Sequence, residues 1–107
     1  MDLHPPIQTY FDADRRGDRD ALVKAFAHDA TVTDEGRTHV GRDAIGAWWA
    51  ETKAQYEPVL EPLEATQANG ATIVRARVSG NFPGSPVVLA FAFQVAGDRI
   101  ASLEIRP

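Results

Sequence analysis

Apolar positions change their spacing along this chain, and the changes mark out its elements. Between Pro5 and Gly17, Ile7, Tyr10, Phe11 and Asp14 recur at the spacing that puts them on one helical face. Pro5-Pro6 suits the start of that helix, where a missing N–H costs nothing, and Gly17 suits its stop. Asp18 is a good N-cap for a second helix with Asp20 in its first turn; Leu22, Val23, Phe26 and Ala27 form its apolar stripe. His28 falls at the end of that helix, where it complements the dipole. From Ala30 the period drops to two, with Val32 and Asp34 on one face and Thr31 and Thr33 on the other. Glu35-Gly36 predicts a tight turn into a short strand, Arg37 to Val40. A third helix is predicted from Arg42 to Tyr56, its broad face made by Ile45, Trp48, Trp49, Thr52 and Tyr56, and Pro58 ends it.

From Val59 onward the pattern is that of strands. Asn69-Gly70 is a hairpin signal between two alternating runs. In Ala71 to Ser79, Val74, Ala76 and Val78 share one face while Ile73, Arg75 and Arg77 share the other. Residues 81–86 read as a loop, and Val87 to Val95 puts Leu89, Phe91, Phe93 and Val95 on one face. Gly97-Asp98 turns the chain into a last strand, where Ala101, Leu103 and Ile105 alternate with polar neighbours. Helices first and consecutive strands after predict an α+β fold, a single domain over residues 1–107. Three N-terminal helices would pack on a strongly curved, mostly antiparallel sheet, and such a sheet leaves a cone-shaped space suited to a ligand.

Composition narrows the chemistry. With 44% hydrophobic and 24% charged residues the chain has the make-up of a globular domain rather than a disordered one. A net charge of −4 without a basic cluster argues against binding nucleic acid. The absence of cysteine excludes disulfides, thiol catalysis and Cys-based zinc sites. His4, His28 and His39 have no ligand spacing, so no metal is expected. No run is long and apolar enough to span a membrane, and Met1 to Pro6 has neither a basic nor an apolar leader; a cytoplasmic location is the expectation.

A carboxylate and a phenol facing one apolar cavity make a minimal acid/base site, and Asp34 and Tyr10 are the candidates. Desolvation there would raise the Asp34 pKa toward that of a base working near neutral pH. The structural alternatives are a strand-end Asp bonding its own turn and a Tyr packed in the core. Trp48, Trp49, Phe91, Phe93 and Val74 are candidate pocket walls and His39 a candidate pocket-polarity residue. One of the two tryptophans is expected on the pocket or core and the other near the rim.

Three local patterns, in this order, resemble the nuclear transport factor 2-like superfamily, which includes SnoaL-like polyketide cyclases and ketosteroid isomerase. They are Ala25-Phe26-Ala27-His28-Asp29-Ala30-Thr31-Val32, Val40-Gly41-Arg42-Asp43-Ala44-Ile45 and Gly97-Asp98-Arg99-Ile100-Ala101-Ser102-Leu103. The resemblance implies a cone fold, a homodimer through the outer sheet face, with Glu61 or Glu64 pairing Arg75 and Arg77, and no cofactor. Ketosteroid isomerase uses an Asp base with a Tyr and a protonated Asp as oxyanion donors. By that resemblance the base falls on Asp34 and the tyrosine on Tyr10. The second acid falls at or beside Phe91, and Val87 to Val95 contains no acid at all. The oxyanion pair is thus incomplete, which weighs against steroid isomerisation but is compatible with SnoaL-like chemistry resting on one Asp. The Asp-Arg-Asp set of limonene epoxide hydrolase is disfavoured, because Arg75 and Arg77 oppose the pocket face. The expected function is a small-molecule-binding protein acting as isomerase, cyclase or dehydratase on an apolar carbonyl compound. The alternatives are a non-catalytic carrier and an interaction module whose cone is packed solid.

Overall fold

The computed structural model describes every residue from Met1 to Pro107. Helix α1 (Pro5–Arg16) stops where Gly17 turns left-handed at φ 69° and its N–H reaches back to the last-turn carbonyls. Helix α2 (Arg19–Lys24) starts on Asp18, whose carboxylate accepts the Ala21 N–H at 3.1 Å. That bond, more than any neighbouring charge, holds the Asp18 carboxyl below its ordinary pKa.

The second helix is shorter than its apolar stripe implied. Phe26, Ala27 and His28 belong to strand β1 (Phe26–Asp34), so His28 is an exposed strand residue with no helix end to complement. Phe26 is fully buried, as either structure would have it, and local periodicity does not separate the two. Long-range pairing decides: Ile100 donates its N–H to the Ala25 carbonyl at 2.8 Å, and Phe26 lies in register with Ile100.

Strand β2 (Arg37–Val40), helix α3 (Arg42–Tyr56) and strands β3 (Val59–Ala68), β4 (Ala71–Ser79), β5 (Val87–Ala96) and β6 (Arg99–Arg106) complete the chain. One six-stranded sheet runs β2-β1-β6-β5-β4-β3, antiparallel throughout except between β1 and β6. Two of the three two-residue hairpin turns have positive φ at each position, Glu35 51° with Gly36 74° and Asn69 52° with Gly70 79°. That is the backbone a type I′ turn requires.

Register shifts at Leu63, at Ala101 and over the start of β1 add residues to one strand of a pair, and such bulges bend a sheet. The shift at Ala101 also corrects the expected alternation in the last strand. Ile100 and Leu103 are the buried pair there, and Ala101 is only half-buried. The three helices lie in the concave side. Tyr10, Phe11, Phe26 and Phe93 form its aromatic centre, with Tyr10 edge-on to Phe93 at 5.4 Å. On the convex side Arg75 pairs with Glu64 at 3.2 Å and Arg77 with Glu61 at 2.7 Å; these exposed pairs contribute little to stability. No helix is long and apolar enough to cross a membrane.

The three sequence patterns meet at one place. Arg42, opening α3, donates from Nε at 2.9 Å and Nη2 at 2.7 Å to the Phe26 carbonyl, and Gly41 donates its N–H to Ala30 at 2.8 Å. Ile100 closes the same knot from β6. These residues anchor α3 over the irregular start of β1 and lie away from the cavity described below. Arg42→Met removes both bonds from a charged donor, so a loss of about 1.5–3 kcal/mol is expected. Urea unfolding monitored by tryptophan fluorescence checks it, and an unchanged midpoint would refute the anchoring role.

Candidate functional site

The cone is open at one end. A cavity of about 440 Å³ lies between α1, α3 and the concave face of the sheet. Its walls are mostly apolar, with Trp48 and Trp49 from α3 facing Leu60, Val78, Leu89, Phe91 and Ile105 from the strands. Tyr56 and Phe82, edge to face at 6.0 Å, stand at its edge, and the Tyr56 hydroxyl donates to Glu35 at 3.4 Å.

Asp34 closes β1 beside the hairpin turn and lines this cavity. Its inward direction follows from parity with fully buried Val32. Trp48 donates its indole N–H to Oδ2 at 3.1 Å. Burial pushes its pKa above the ordinary carboxylate value, against the opposing effect of the Trp48 bond. The carboxylate keeps Oδ1 clear of the indole.

Tyr10 is 2% exposed and lines the same cavity. Its ring packs in the aromatic centre. No buried side-chain oxygen in the molecule lacks a partner, and the Tyr10 hydroxyl bonds no protein group, so its small exposure lies at the cavity. Burial first, then the carboxylates of Asp14 and Asp34, drive its pKa well above that of a free phenol. The hydroxyl stays protonated and available as a donor.

A second acid, on the apolar stripe of α1 one turn beyond Tyr10, completes the polar part of the site. Asp14 is 5% exposed, and its two oxygens are both engaged. Oδ1 accepts the Trp49 indole N–H at 2.9 Å, and Oδ2 accepts Lys53 Nζ at 3.1 Å. Lys53 Nζ also donates to the Pro58 carbonyl at 3.1 Å and sits 5.7 Å from the Trp49 ring centre. An acid on an apolar stripe is the signal in the sequence. Its partners, 35 and 39 residues away, are not legible there.

The tryptophans do not divide into one wall and one rim residue. Both line the cavity, and their indole N–H groups diverge to Asp34 and Asp14. Phe91 lines it too. Three other expected pocket residues do not. Val74 and Phe93 are fully buried in the core, because they lie deeper along their strands than the cavity reaches. His39 stands outside the lining, half-buried, its ring 6.1 Å from that of Trp48. No three His, Asp or Glu side chains converge to hold a metal ion.

A curved sheet around three helices, with an open cavity carrying three acids and two indoles, defines an α+β cone of the nuclear transport factor 2-like kind. The SnoaL-like domain model matches residues 7–103, and the chain belongs to that family. It is 50% identical to a candidate polyketide cyclase from Sinorhizobium meliloti, over 99% of this chain and 97% of that one, with a TM-score of 0.95. A protein of ketosteroid isomerase-like fold from Catenulispora acidiphila, solved in complex with trimethylamine, is 25% identical over 95% of this chain and 84% of that one, with a TM-score of 0.81. A protein of nuclear transport factor 2-like fold from Cytophaga hutchinsonii, 10% identical, shares the fold alone; 94% of this chain and 84% of that one superpose with a TM-score of 0.77. No curated protein matches the chain.

Proposed function

We propose that the cavity binds a small apolar compound carrying a carbonyl group and that Asp34 acts on it as a general base, making the protein a cofactor-independent isomerase or cyclase. The observation that carries the reading is the shared opening of Asp34 and the Tyr10 hydroxyl on one apolar cavity. In the reaction, an Asp34 oxygen takes a proton from the carbon next to the carbonyl. The C–H electron pair moves into the new C=C bond, and the carbonyl oxygen gains the negative charge. Tyr10 donates a hydrogen bond to that oxygen. Return of the proton to another carbon gives isomerisation; attack of the enolate carbon on a second carbonyl of the same molecule breaks that C=O π bond and closes the ring, and the new alkoxide takes the proton back from Asp34. The likeness to the Sinorhizobium cyclase candidate supports this class.

A second reading, a non-catalytic carrier of a small cation, has its own support. Asp14, Asp34 and Glu35 place three carboxylates among aromatic faces, a setting suited to an alkylammonium, and the Catenulispora relative holds trimethylamine. Thermal shifts against enones, phenols, small polyketide-like acids and alkylamines separate the two. A ligand present at 100 times its dissociation constant stabilises the native state by about 2.7 kcal/mol. Stabilisation by carbonyl compounds with subsequent turnover is the expected result; stabilisation by amines alone would sink the enzyme reading.

We also infer a homodimer through the convex sheet face. Val88, Ala90, Ala92 and Ile73 share that face by register, between the Arg75–Glu64 and Arg77–Glu61 pairs on one side and Glu104–Arg106 on the other. Val88 is 38% exposed, so Val88→Glu leaves the monomer's core untouched. Sedimentation is expected to show a dimer for the parent and a monomer for the variant. A parent that sediments as a monomer would refute the inference.

A further inference from the structure

Phe91 lines the cavity, and β5 has no acid anywhere, so the strands give the cavity no hydrogen-bond donor there. We infer that Lys53 supplies the second donor: with Tyr10 it forms the oxygen-binding end of the cavity, and the ligand presents there an ionisable oxygen, that of an enol, a phenol or a carboxylate. This assignment rests on the reading of the cavity as a site for an oxygen-bearing ligand, and it adds the charge that selects the ligand's ionised form.

The donors around the cavity point to it. The indole N–H groups of Trp48 and Trp49 are already given to Asp34 and Asp14. Asp14 has no hydrogen to offer, since both of its oxygens accept bonds. An ammonium has three N–H bonds. Lys53 uses one on Asp14 Oδ2 and one on the Pro58 carbonyl, and the third has no protein partner. The two bonds hold Nζ in place on a residue that lines the cavity, so little reorganisation is needed for it to serve a ligand there. Asp14 sits one turn after Tyr10 on α1, and Lys53 one turn after Trp49 on α3, so the Asp14–Lys53 pair ties the two helices together at the cavity that Tyr10 also lines.

Charge sharpens the assignment. Asp14 balances Lys53, so the pair adds no net charge to the apolar cavity, yet the ammonium is presented toward an incoming oxygen. The other charges around it are Asp34 and Glu35 at the β1–β2 turn and Arg106 from β6. Arg106 is 45% exposed and bound to Glu104, whereas Lys53 is 24% exposed. Lys53 is therefore the less solvated of the two cations, and its field is the less screened. An alkylammonium meets repulsion at this end, and an oxyanion meets two donors.

The test uses 4-nitrophenol, whose phenolate absorbs visible light and so reports which form is bound. Asp34→Asn is the background, because it removes the facing carboxylate while leaving an oxygen to accept from Trp48. In that protein the probe is expected to bind chiefly as phenolate. Adding Asp14→Asn and Lys53→Met together removes the ammonium without stranding a buried charge. Phenolate affinity is then expected to fall about tenfold to a hundredfold, with affinity for the neutral phenol little changed. Lys53→Arg should retain the preference for phenolate. Lys53→Gln alone provides the same reading should the triple variant fail to fold, and it should bind the neutral form. Unchanged phenolate affinity without Lys53 would overturn the assignment, and phenol binding would still support the cavity as a ligand site. No binding by any variant would overturn it as well, and the role of Asp34 would then be judged by its own turnover assay.

Discussion

Asp34→Asn is expected to cut turnover of any accepted carbonyl substrate by about 100- to 10,000-fold, the usual worth of a positioned general base. The substitution keeps an oxygen to accept the Trp48 indole bond now made by Oδ2, so the cavity and its ligand affinity should persist. Equal loss of binding and turnover would instead make Asp34 a wall residue. The pH profile carries a second check. Burial raises the Asp34 pKa, and a base works only when ionised, so kcat/KM should rise with pH through a limb above the ordinary carboxylate range. Stability should move the opposite way. A carboxyl whose folded pKa exceeds its unfolded value binds more protons when folded, so its contribution is fully present below the unfolded pKa. It is lost as pH rises through the raised folded pKa. The Asn variant carries no such loss, and it should match the parent at acid pH and exceed it in thermal stability near neutrality. A variant less stable than the parent at neutral pH would contradict the burial of this carboxylate.

Lys53→Met is expected to be the most destabilising single change at the site. It leaves the Asp14 carboxylate, 5% exposed, with one bond from Trp49 in place of an ion pair, and it strips the Pro58 carbonyl of its donor. Breaking a buried pair from one side costs about 3–5 kcal/mol, and the partial exposure of Lys53 places the loss toward the lower end. The Asp14→Asn/Lys53→Met double variant should recover much of it, because the introduced amide oxygen still accepts from Trp49 and no charge is stranded. A double-mutant cycle by urea unfolding reads the coupling directly. Additive losses would show that Asp14 and Lys53 do not act as a pair. The result bears on function as well as stability, since this pair fixes the ammonium at the polar end of the cavity.

Several of these features were legible residue by residue. The spacing of Ile7, Tyr10, Phe11 and Asp14 set the buried face of α1, and alternation set the inward side of β4 and β5. Glu35-Gly36 and Asn69-Gly70 specified turns that only positive-φ residues make easily. Parity with Val32 sent Asp34 inward. Each of these depends on neighbours within a few residues, and the local backbone period is enough to read them.

Tertiary structure decided the rest. Phe26 is buried in a helix or in a strand alike, and only its register with Ile100 made Phe26–His28 a strand. The bulge at Ala101 moved burial to Ile100 through pairing with β5. Val74 and Phe93 point inward as their alternation requires, yet they fill the core while Phe91 faces the cavity. Which of them meets open space depends on depth within the cone, set by sheet curvature and by where α1 and α3 rest. Asp14 shows the same division most sharply. Its place on an apolar stripe is written in α1 alone, but Trp49 and Lys53, which make a buried acid tolerable, arrive from a helix 35 and 39 residues later. A chain's own period determines which side a residue faces; what it meets there is determined by elements distant in sequence, because contacts across a core carry no local signature.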